Sequence, residues 1–339
     1  MTKFLILLAS LLWLAGCGPD QINLDGQTMG THYSVKYLNH PSSPDAQIDA
    51  QIVQQEIDQR LALINSQMST YQSDSELSRF NQSRETDKPF PVSAATARVV
   101  RESLRISQLT DGALDITIGP LVNLWGFGPP GRTIKAPAQA DIDTRKALSG
   151  ADKLQLAENT LIKHIPELYV DLSSIAKGYG VDVIADYLQS QSLYHYLVDI
   201  GGEVRTRGNN GLGQPWRIAI ETPNTDTEQR AQRIVTPGAM AIATSGDYRN
   251  YFEENGVRYS HTVDPKTGRP VSHSLVSVSV LHPSCMTADG IATGLNVLGP
   301  EKGMALANLL AIPVFMIVKT DQGFEERSSD AFKPYLQQK

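Results

Sequence analysis

The chain has 339 residues, 41% of them hydrophobic, which is enough to bury a core without disulfides or structural metals. Its formal net charge is −6, and neither sign of charge forms a long run. A nucleic-acid-binding protein normally carries a basic stripe, so we expect no nucleic acid among its partners. The two cysteines, Cys17 and Cys285, are too few for a zinc ribbon or an iron–sulfur cluster.

Residues 1–17 have the pattern of a bacterial lipoprotein signal peptide. Lys3 precedes an apolar run over 4–15, which is shorter than the roughly 20 residues of a membrane-spanning helix. The segment ends in Leu-Ala-Gly-Cys17, which resembles a lipobox, so Cys17 is predicted to carry lipid as the mature N-terminus. An ordinary signal peptide with a cysteine near its cut is the alternative. We expect a tether over 18–23 and the functional domain over 24–339.

The first half of the chain is predicted to contain a strand followed by two helices. Alternation of apolar and polar residues predicts the strand over 31–38. Helical spacing of isoleucine and leucine predicts a helix over 48–64, and Ser93 opens a second helix that ends before Gly112. A segment dense in glycine and proline then predicts a loop over 126–137.

The second half mixes strands and helices without strict alternation. β runs over 168–172 and 196–200 flank a helical run over 175–188, an order that favours parallel strands joined by a crossover helix. The remaining predicted elements are strands over 216–220, 275–281 and 314–318 and helices over 288–298 and 301–310. We therefore predict an α+β fold of mixed, partly antiparallel sheets flanked by helices.

Four clusters of glycine, hydroxyl and acidic residues stand where packing alone does not require them. They cover residues 26–31, 110–120, 171–179 and, in three short segments, 244–293. The third lies where a strand is predicted to meet a helix, and the helix N-terminus with Lys177 in its first turn is suited to bind a phosphate. A capping serine beside a surface lysine is the alternative at this junction.

The fourth cluster contains oxygen donors at helical spacing. Asp289 and Thr293 are four residues apart, so a helix would place both oxygens on one face. Hard oxygens of this kind are suitable ligands for a Mg²⁺ ion that also binds phosphate oxygens. The alternative for Asp289 is an acid near a helix start that interacts with the helix dipole. The polar neighbours of His261 favour a polar site over a core histidine. With no dinucleotide-binding glycine motif, P-loop, HExxH or GxSxG, the residues predict a Mg²⁺-assisted site for a phosphate-bearing ligand.

Eight segments, taken together and in order, carry a resemblance to a known family. They are TMGTHY, STYQSDSELSRFN, TDGALDITIGPLVNLWGFG, YVDLSSIAKGYGVD, LVDIGGE, ATSGDYRNYFE, YSHTVDPKTGRP and ADGIATGLNVLGPE. This set resembles the ApbE family, the FAD:protein FMN transferases. It extends from residue 28 to residue 301, which is nearly the whole chain after the signal peptide.

The resemblance implies two lobes around one site for FAD and Mg²⁺, and it implies a defined reaction. FMN would pass from FAD to a threonine hydroxyl of an acceptor protein as a phosphoester, with release of AMP. Acceptors in the family are flavin subunits of sodium-pumping and related redox complexes that carry a Ser-Gly-Ala-Thr-like motif. Many members are lipoproteins of the inner membrane, which implies a lipid-anchored location on its periplasmic side.

Matching motif positions carry the family's residue roles into this sequence. His261 matches the histidine beside the scissile phosphates, where it is the candidate catalytic group. Metal ligation is expected from Asp289, Thr293 and the region of Ser174, whose backbone carbonyl is the candidate oxygen. Relatives often carry a second acid three residues after Asp289, where this chain has Ala292. The residues expected to contact the flavin nucleotide are Met29, Tyr71, Ala113, Leu114, Asp115, Asp171 and Lys177, together with His261.

Two other activities are compatible with the same residues. A Mg²⁺-dependent FAD pyrophosphatase would use the site with water in place of the threonine hydroxyl, giving FMN and AMP. A lipoprotein that binds FAD without catalysis is the third interpretation. Glu203, which follows a glycine pair, has no role in any of the three.

Overall fold

An antiparallel sheet is the main element of the fold. The computed structural model describes residues 20–39, 49–131, 135–221, 231–246, 251–254 and 257–336. The strands in chain order are β1 (Asp20–Thr28), β2 (Thr31–Asn39), β3 (Phe90–Pro91), β4 (Leu154–Ala157), β5 (Thr160–Lys163), β6 (Tyr196–Ile200), β7 (Glu203–Arg207), β8 (Ile218–Glu221), β9 (Ala231–Val235), β10 (Ala241–Gly246), β11 (Tyr251–Glu254), β12 (Val257–Ser260), β13 (Val263–Asp264), β14 (Arg269–Pro270), β15 (Leu275–His282), β16 (Val314–Thr320) and β17 (Gly323–Ser328). Among the described residues, the main sheet has the order β1-β2-β6-β7-β10-β15-β16-β17, with antiparallel neighbours throughout.

The helices surround this sheet together with smaller sheets. They are α1 (Ala50–Met68), α2 (Glu76–Gln82), α3 (Ala94–Leu109), α4 (Gly119–Leu124), α5 (Gln139–Lys146), α6 (Ala176–Ser190) and α7 (Cys285–Leu309). Strands β3, β5 and β4 form a second sheet, and β8 with β9, β11 with β12 and β13 with β14 form two-stranded ribbons. The α+β fold class predicted from the sequence is confirmed by this arrangement.

Alternate side chains of the central strands face two different cores. On β16, Val314, Met316 and Val318 belong to the large cluster that includes α3 and α7, whereas Phe315 and Ile317 belong to a smaller cluster on the other face. A strand that is covered on both faces buries both sets of alternate residues. The central part of the sheet is therefore covered on both faces, and the order of its strands places β7 beside β10.

The helix predictions are largely confirmed, because the helices follow their apolar spacing. On α1 the buried residues include Val53, Ile57, Leu61 and Ile64, which lie three or four apart. Ser93 caps α3 by accepting a hydrogen bond from the Thr96 N–H at 3.2 Å. The predicted helix over 175–188 is α6, and the predicted strands over 31–38, 196–200, 275–281 and 314–318 are β2, β6, β15 and β16.

The two helices predicted over 288–298 and 301–310 are the two parts of α7, which are separated by a break. Helix α7 begins at Cys285 and is interrupted at Gly299, where φ is 78° and ψ is 179°. A side chain at that φ would be strained, and Pro300 then fits the first turn of the continuing helix. Among the described helices, none is long and apolar enough to cross a bilayer.

The predicted strand over 168–172 is wrong, and so is the parallel crossover built on it. The Asn81 side chain pairs with both backbone groups of Val170, donating to its carbonyl at 2.8 Å and accepting from its N–H at 2.8 Å. The Lys163 ammonium donates to the Leu168 carbonyl at 3.1 Å, and the Asp171 N–H donates to the Ile116 carbonyl. Side chains and a loop thus satisfy the backbone groups that a strand neighbour would otherwise take.

The N-terminal boundary also differs from the prediction. The tether was expected over 18–23, but Asp20–Thr28 is strand β1, which pairs with β2 along its whole length. The glycine-flanked segment over 26–31 is the hairpin connection, with positive φ at Met29 and Gly30. The predicted lipidation site, Cys17, lies outside the described residues, as do positions 132–134 of the predicted loop.

Candidate active site

Almost all of the predicted site residues line one cavity. Its volume is about 380 Å³, and it lies between the ends of β7 and β10, the first turn of α6, one face of α7 and the segments around residues 113–127 and 261–263. These segments are far apart in the chain, so the fold assembles the cavity. The predicted site residues that line it are Tyr71, Ala113, Leu114, Asp115, Asp171, Ser174, Lys177, His261, Asp289 and Thr293.

Met29 is the predicted contact residue that does not line this cavity. It occupies the β1–β2 turn, and its side chain packs against the cores on both sides of α6. A Cβ placed on Gly180 would lie 3.1 Å from Met29 Cε, so the methionine methyl rests on the surface of α6. The expected contact between Met29 and a flavin nucleotide stays a prediction.

Three residues with oxygens that could bind a metal ion line the cavity where α7 passes the start of α6, namely Ser174, Asp289 and Thr293. The Thr293 hydroxyl is 3.4 Å from the Ser174 carbonyl oxygen and 3.2 Å from the Ser245 hydroxyl. Asp289 lies one helical turn before Thr293, and its Oδ2 accepts the Gly178 N–H at 2.9 Å. Among the described residues, nothing donates a hydrogen bond to Asp289 Oδ1, so this oxygen is available to a ligand.

The N-terminus of α7 is held by a carboxylate from α6. Asp182 Oδ1 accepts the Cys285 N–H at 2.9 Å, and its Oδ2 accepts the Met286 N–H at 3.0 Å and the Ser284 hydroxyl at 2.7 Å. The Arg205 guanidinium, 2.8 Å from Oδ1, balances the buried charge. Asp182 was not singled out in the sequence, because an acid inside a helix gives no sign that it caps another helix.

Helices α6 and α7 touch at Gly178, and this contact brings Asp289 to the start of α6. A Cβ on Gly178 would collide with the Cys285 carbonyl oxygen and would lie 2.8 Å from Asp289 Cβ. The same glycine donates its N–H to Asp289. A glycine is therefore required here for close approach of the two backbones.

Gly178→Ala is expected to separate the two helices and to lower activity and stability together. Overpacking of this kind costs about 1–3 kcal/mol, and the oxygens of α7 would move away from the Ser174 carbonyl. The free energy of unfolding and the catalytic activity would be measured on the same preparation. Gly180→Ala is the matched control, because its added Cβ meets flexible side-chain ends of Met29 and Ile200. Equal effects of both variants would contradict the assignment.

An ion pair between a partly exposed lysine and a buried carboxylate forms the floor of the cavity. The Lys177 ammonium lies 2.6 Å from Glu203 Oε2, and the Glu203 side chain is 4% exposed. Burial works to lower the pKa of Lys177, but the carboxylates of Glu203 and Asp289 outweigh it and raise that pKa well above its usual value. Burial raises the pKa of Glu203 to about 7, with Lys177 opposing the shift. Burial likewise raises the pKa of Asp289.

Two further carboxylates shape the loops that border the cavity. Asp115 Oδ1 accepts the Thr117 N–H at 2.8 Å and its hydroxyl at 2.7 Å, and burial raises the pKa of Asp115. Asp171 Oδ1 accepts the Ser173 N–H at 2.9 Å, which bends the chain just before Ser174. Such local side-chain to backbone bonds hold tight turns in place. Both acids therefore set the course of the backbone as well as lining the site.

Aromatic rings form the outer wall. Tyr71 is 71% exposed, and its hydroxyl is 3.5 Å from the Phe127 carbonyl oxygen. The Phe127 ring meets the His261 ring edge-on, with centroids 6.4 Å apart, and it also packs against Phe252 at 5.8 Å. His261 directly follows β12, whose Tyr259 stacks on Phe252. A planar aromatic ligand could stack on these rings or contact their edges.

The donor set and the charge of the cavity fit a hard divalent cation. In the described part of the chain, no group of three or more His, Cys, Asp or Glu side chains is arranged to hold a metal, so a cation would use the Asp289 carboxylate with hydroxyl and carbonyl oxygens. Neighbouring ligands of Mg²⁺ lie about 3 Å apart, close to the separation between Thr293 and Ser174. The described lining contains four carboxylates and one lysine, an excess of negative charge that a cation would offset before a diphosphate binds.

Ala292 is not part of this donor set. It is fully buried in the large hydrophobic cluster and does not line the cavity. A carboxylate at this position would enter the apolar core unless the helix turned. The alanine at position 292 therefore removes no oxygen from the candidate cation site.

Comparisons with known proteins agree with one another. The sequence model of the ApbE family matches residues 29–316. A Vibrio cholerae protein named FAD:protein FMN transferase is 57% identical over 338 residues, 99% of this chain and 99% of that protein. The structure of the flavin transferase ApbE from Vibrio cholerae is 55% identical, with a TM-score of 0.87 over 94% of this chain and 100% of that one. The apo Pseudomonas stutzeri flavinyl transferase ApbE is 40% identical, with a TM-score of 0.85 over 94% and 97% of the two chains.

Proposed function

The chain belongs to the ApbE family, and on this basis we propose that it is a lipid-anchored, Mg²⁺-dependent FAD:protein FMN transferase. It moves FMN from FAD to an acceptor protein. The observation that carries the proposal is a single cavity in which a lysine at a helix N-terminus, a histidine and the converging oxygens of Asp289, Thr293 and Ser174 all meet. These are the groups that a reaction at a diphosphate needs.

The reaction exchanges one phosphorus–oxygen bond for another. The acceptor threonine oxygen forms a bond to the FMN phosphorus, the bond from this phosphorus to the bridging oxygen breaks, and AMP leaves with that oxygen. The threonine hydroxyl loses its proton in the process. His261 lines the cavity, and an imidazole can accept a proton near neutral pH, so we assign it the position beside the scissile phosphates.

The first turn of α6 and Lys177 supply the phosphate-binding part of the site. The N-cap residue of α6, Ile175, makes no side-chain hydrogen bond, and within the first turn Asp289 accepts the Gly178 N–H. The positive end of the helix dipole lies beside the cavity and favours an anionic ligand. Asp289, Thr293 and the Ser174 carbonyl would hold Mg²⁺, which neutralises phosphate oxygens and stabilises the leaving AMP. The chain's own oxygens fix the place of that charge, and Lys177 adds a second positive group beside it.

The acceptor is proposed to be a flavin subunit of a sodium-pumping or related redox complex. The proposal rests on the family resemblance and on a threonine within a Ser-Gly-Ala-Thr-like motif as the attacking group. A hydroxyl on a flexible peptide segment can enter a cavity that is lined by the exposed Tyr71 on one side.

One incubation separates transfer from its two alternatives. The full chain would be mixed with FAD, Mg²⁺ and an acceptor subunit that carries the motif, and a motif Thr→Val acceptor would serve as the control. Flavin covalently bound to the intact acceptor only, with one AMP per flavin, is the expected result. Free FMN and AMP with both acceptors would indicate a pyrophosphatase, and unchanged FAD would indicate a protein that only binds it.

Cys17 is proposed to anchor the protein on the periplasmic side of the inner membrane, on the strength of the Leu-Ala-Gly-Cys17 segment. A single apolar anchor of this kind adds about 0.8 kcal/mol of membrane affinity per buried methylene. Cys17→Ser is expected to abolish labelling with a fatty-acid analogue and to leave the signal peptide uncleaved. Membrane fractions and intact mass would be compared with Cys285→Ser, whose buried thiol takes no lipid. Unchanged labelling of Cys17→Ser would rule out the anchor.

A further inference from the structure

Glu203 is a buried carboxylate on the cavity floor to which the proposed reaction assigns no role. It is the first residue of β7 and follows the Gly201-Gly202 turn, where φ is 65° and 101°. A two-residue hairpin turn with positive φ at both positions needs residues such as glycine. The Gly202 N–H also donates to Asp199 Oδ1 at 2.8 Å, so the turn holds Glu203 opposite Ile200 in a fixed register.

Glu203 and Asp289 compete for one ammonium group. Lys177 Nζ is 2.6 Å from Glu203 Oε2, and the Asp289 carboxylate also attracts the lysine charge. A lysine ammonium is a compact charge on a flexible stem and can turn from one carboxylate to another. Pairing of Lys177 with Asp289 would occupy the oxygen that faces the cavity and would place a positive charge on the cation site.

We propose that Glu203 is a positioning residue, which holds the Lys177 ammonium away from Asp289 so that the Asp289 carboxylate remains open to a divalent cation. The inference rests on the proposed function, because it presumes the cation site at Asp289, Thr293 and Ser174. The positioning role also explains why a buried acid lies beside Lys177. Without Glu203, the nearest compensating charge for Lys177 would be Asp289, which is the proposed ligand of the cation.

Glu203→Gln is expected to weaken divalent-cation binding about 10- to 100-fold, the usual cost of losing a residue that orients a metal ligand. Mn²⁺ would be the probe, with free Mn²⁺ counted by electron paramagnetic resonance in the absence of FAD. Glu326→Gln is the matched control, because Glu326 forms an equally short ion pair with Arg233 outside the cavity. Its Mn²⁺ affinity should equal that of the wild type.

The thermodynamic cycle with Lys177→Met tests the mechanism. In the wild-type background this change should raise Mn²⁺ affinity only slightly, because it removes a positive charge near Asp289 that Glu203 already holds away from the carboxylate. In the Glu203→Gln background it should restore the lost affinity, since the competitor for Asp289 is gone. Wild-type affinity in Glu203→Gln, no restoration in the double variant, or an equal gain in both backgrounds would each overturn the proposal.

Asp289→Asn separates this inference from the proposed function. If the wild type binds Mn²⁺ and Asp289→Asn does not, the cation site stands and the Glu203 results decide the inference alone. If wild type and Asp289→Asn bind Mn²⁺ equally, the cation site at Asp289 is wrong and the positioning role falls with it. Melting temperatures of all variants, measured without metal, confirm that each affinity refers to folded protein.

Discussion

Asp289→Asn is expected to abolish metal-dependent FMN transfer while the protein stays folded. The rate should fall about 10³-fold or more, because several kcal/mol of phosphate charge stabilisation is lost and about 1.4 kcal/mol corresponds to tenfold. The asparagine oxygen can still accept the Gly178 N–H, which Asp289 accepts at 2.9 Å. Lys177 keeps its partner Glu203, so the change to asparagine leaves no unpaired buried charge and should cost little stability.

The measurement is single-turnover transfer at a series of Mg²⁺ concentrations, with the melting temperature recorded on the same preparation. Asp186→Asn is a suitable control, since Asp186 is a 57%-exposed carboxylate on α6 that does not line the cavity. Wild-type rates for Asp289→Asn at limiting Mg²⁺ would show that the cation is held elsewhere.

Local patterns were sufficient for the longer helices and for most of the residues that were predicted to line the cavity. The spacing of Asp289 and Thr293 places both side chains in the cavity, because α7 is a regular helix where they occur. The helix that begins after Ser174 was also predictable from its apolar periodicity. Helical periodicity is a property of neighbouring residues, so a sequence window contains the information that it needs.

Errors arose where a distant partner decides the local structure. The segment over 168–172 has the composition of a strand, but Asn81, 89 residues earlier, satisfies the backbone of Val170. The start of strand β1 was predicted to be a tether, because the segment has little apolar patterning and Leu24 is its only buried apolar side chain. It forms a strand because it pairs with β2. β structure depends on the neighbouring strand, which a single segment does not reveal.

The residues missed within the site are those that act through other residues. Asp182 caps α7 from α6, and Glu203 pairs with Lys177 from β7. Neither role has a sequence motif, since the partners lie 103 and 26 residues away. The one available signal was Glu203 directly after two glycines, where a tight turn ends and a side chain is placed with little freedom.

His261→Ala is expected to reduce transfer about 10²- to 10⁴-fold while FAD binding changes little. The residue lines the cavity at the end of β12, beside the Phe127 ring. Loss of a group that accepts a proton in the transition state lowers the rate constant without removing ground-state contacts. His273→Ala offers the contrast, because the His273 ring is 2.6 Å from the Asn296 carbonyl oxygen and packs against Gly299.

The two histidine variants should therefore fail in opposite ways. His273→Ala should lower the melting temperature and keep the transfer rate per folded, FAD-loaded molecule. His261→Ala should keep the melting temperature and FAD affinity and lose the rate, and added imidazole should restore part of it by entering the vacated space. If His261→Ala lowers the melting temperature but keeps the wild-type transfer rate per folded molecule, His261 is a structural residue. The proton acceptor would then be a carboxylate of the cavity, and Asp115 and Asp171 are the next candidates.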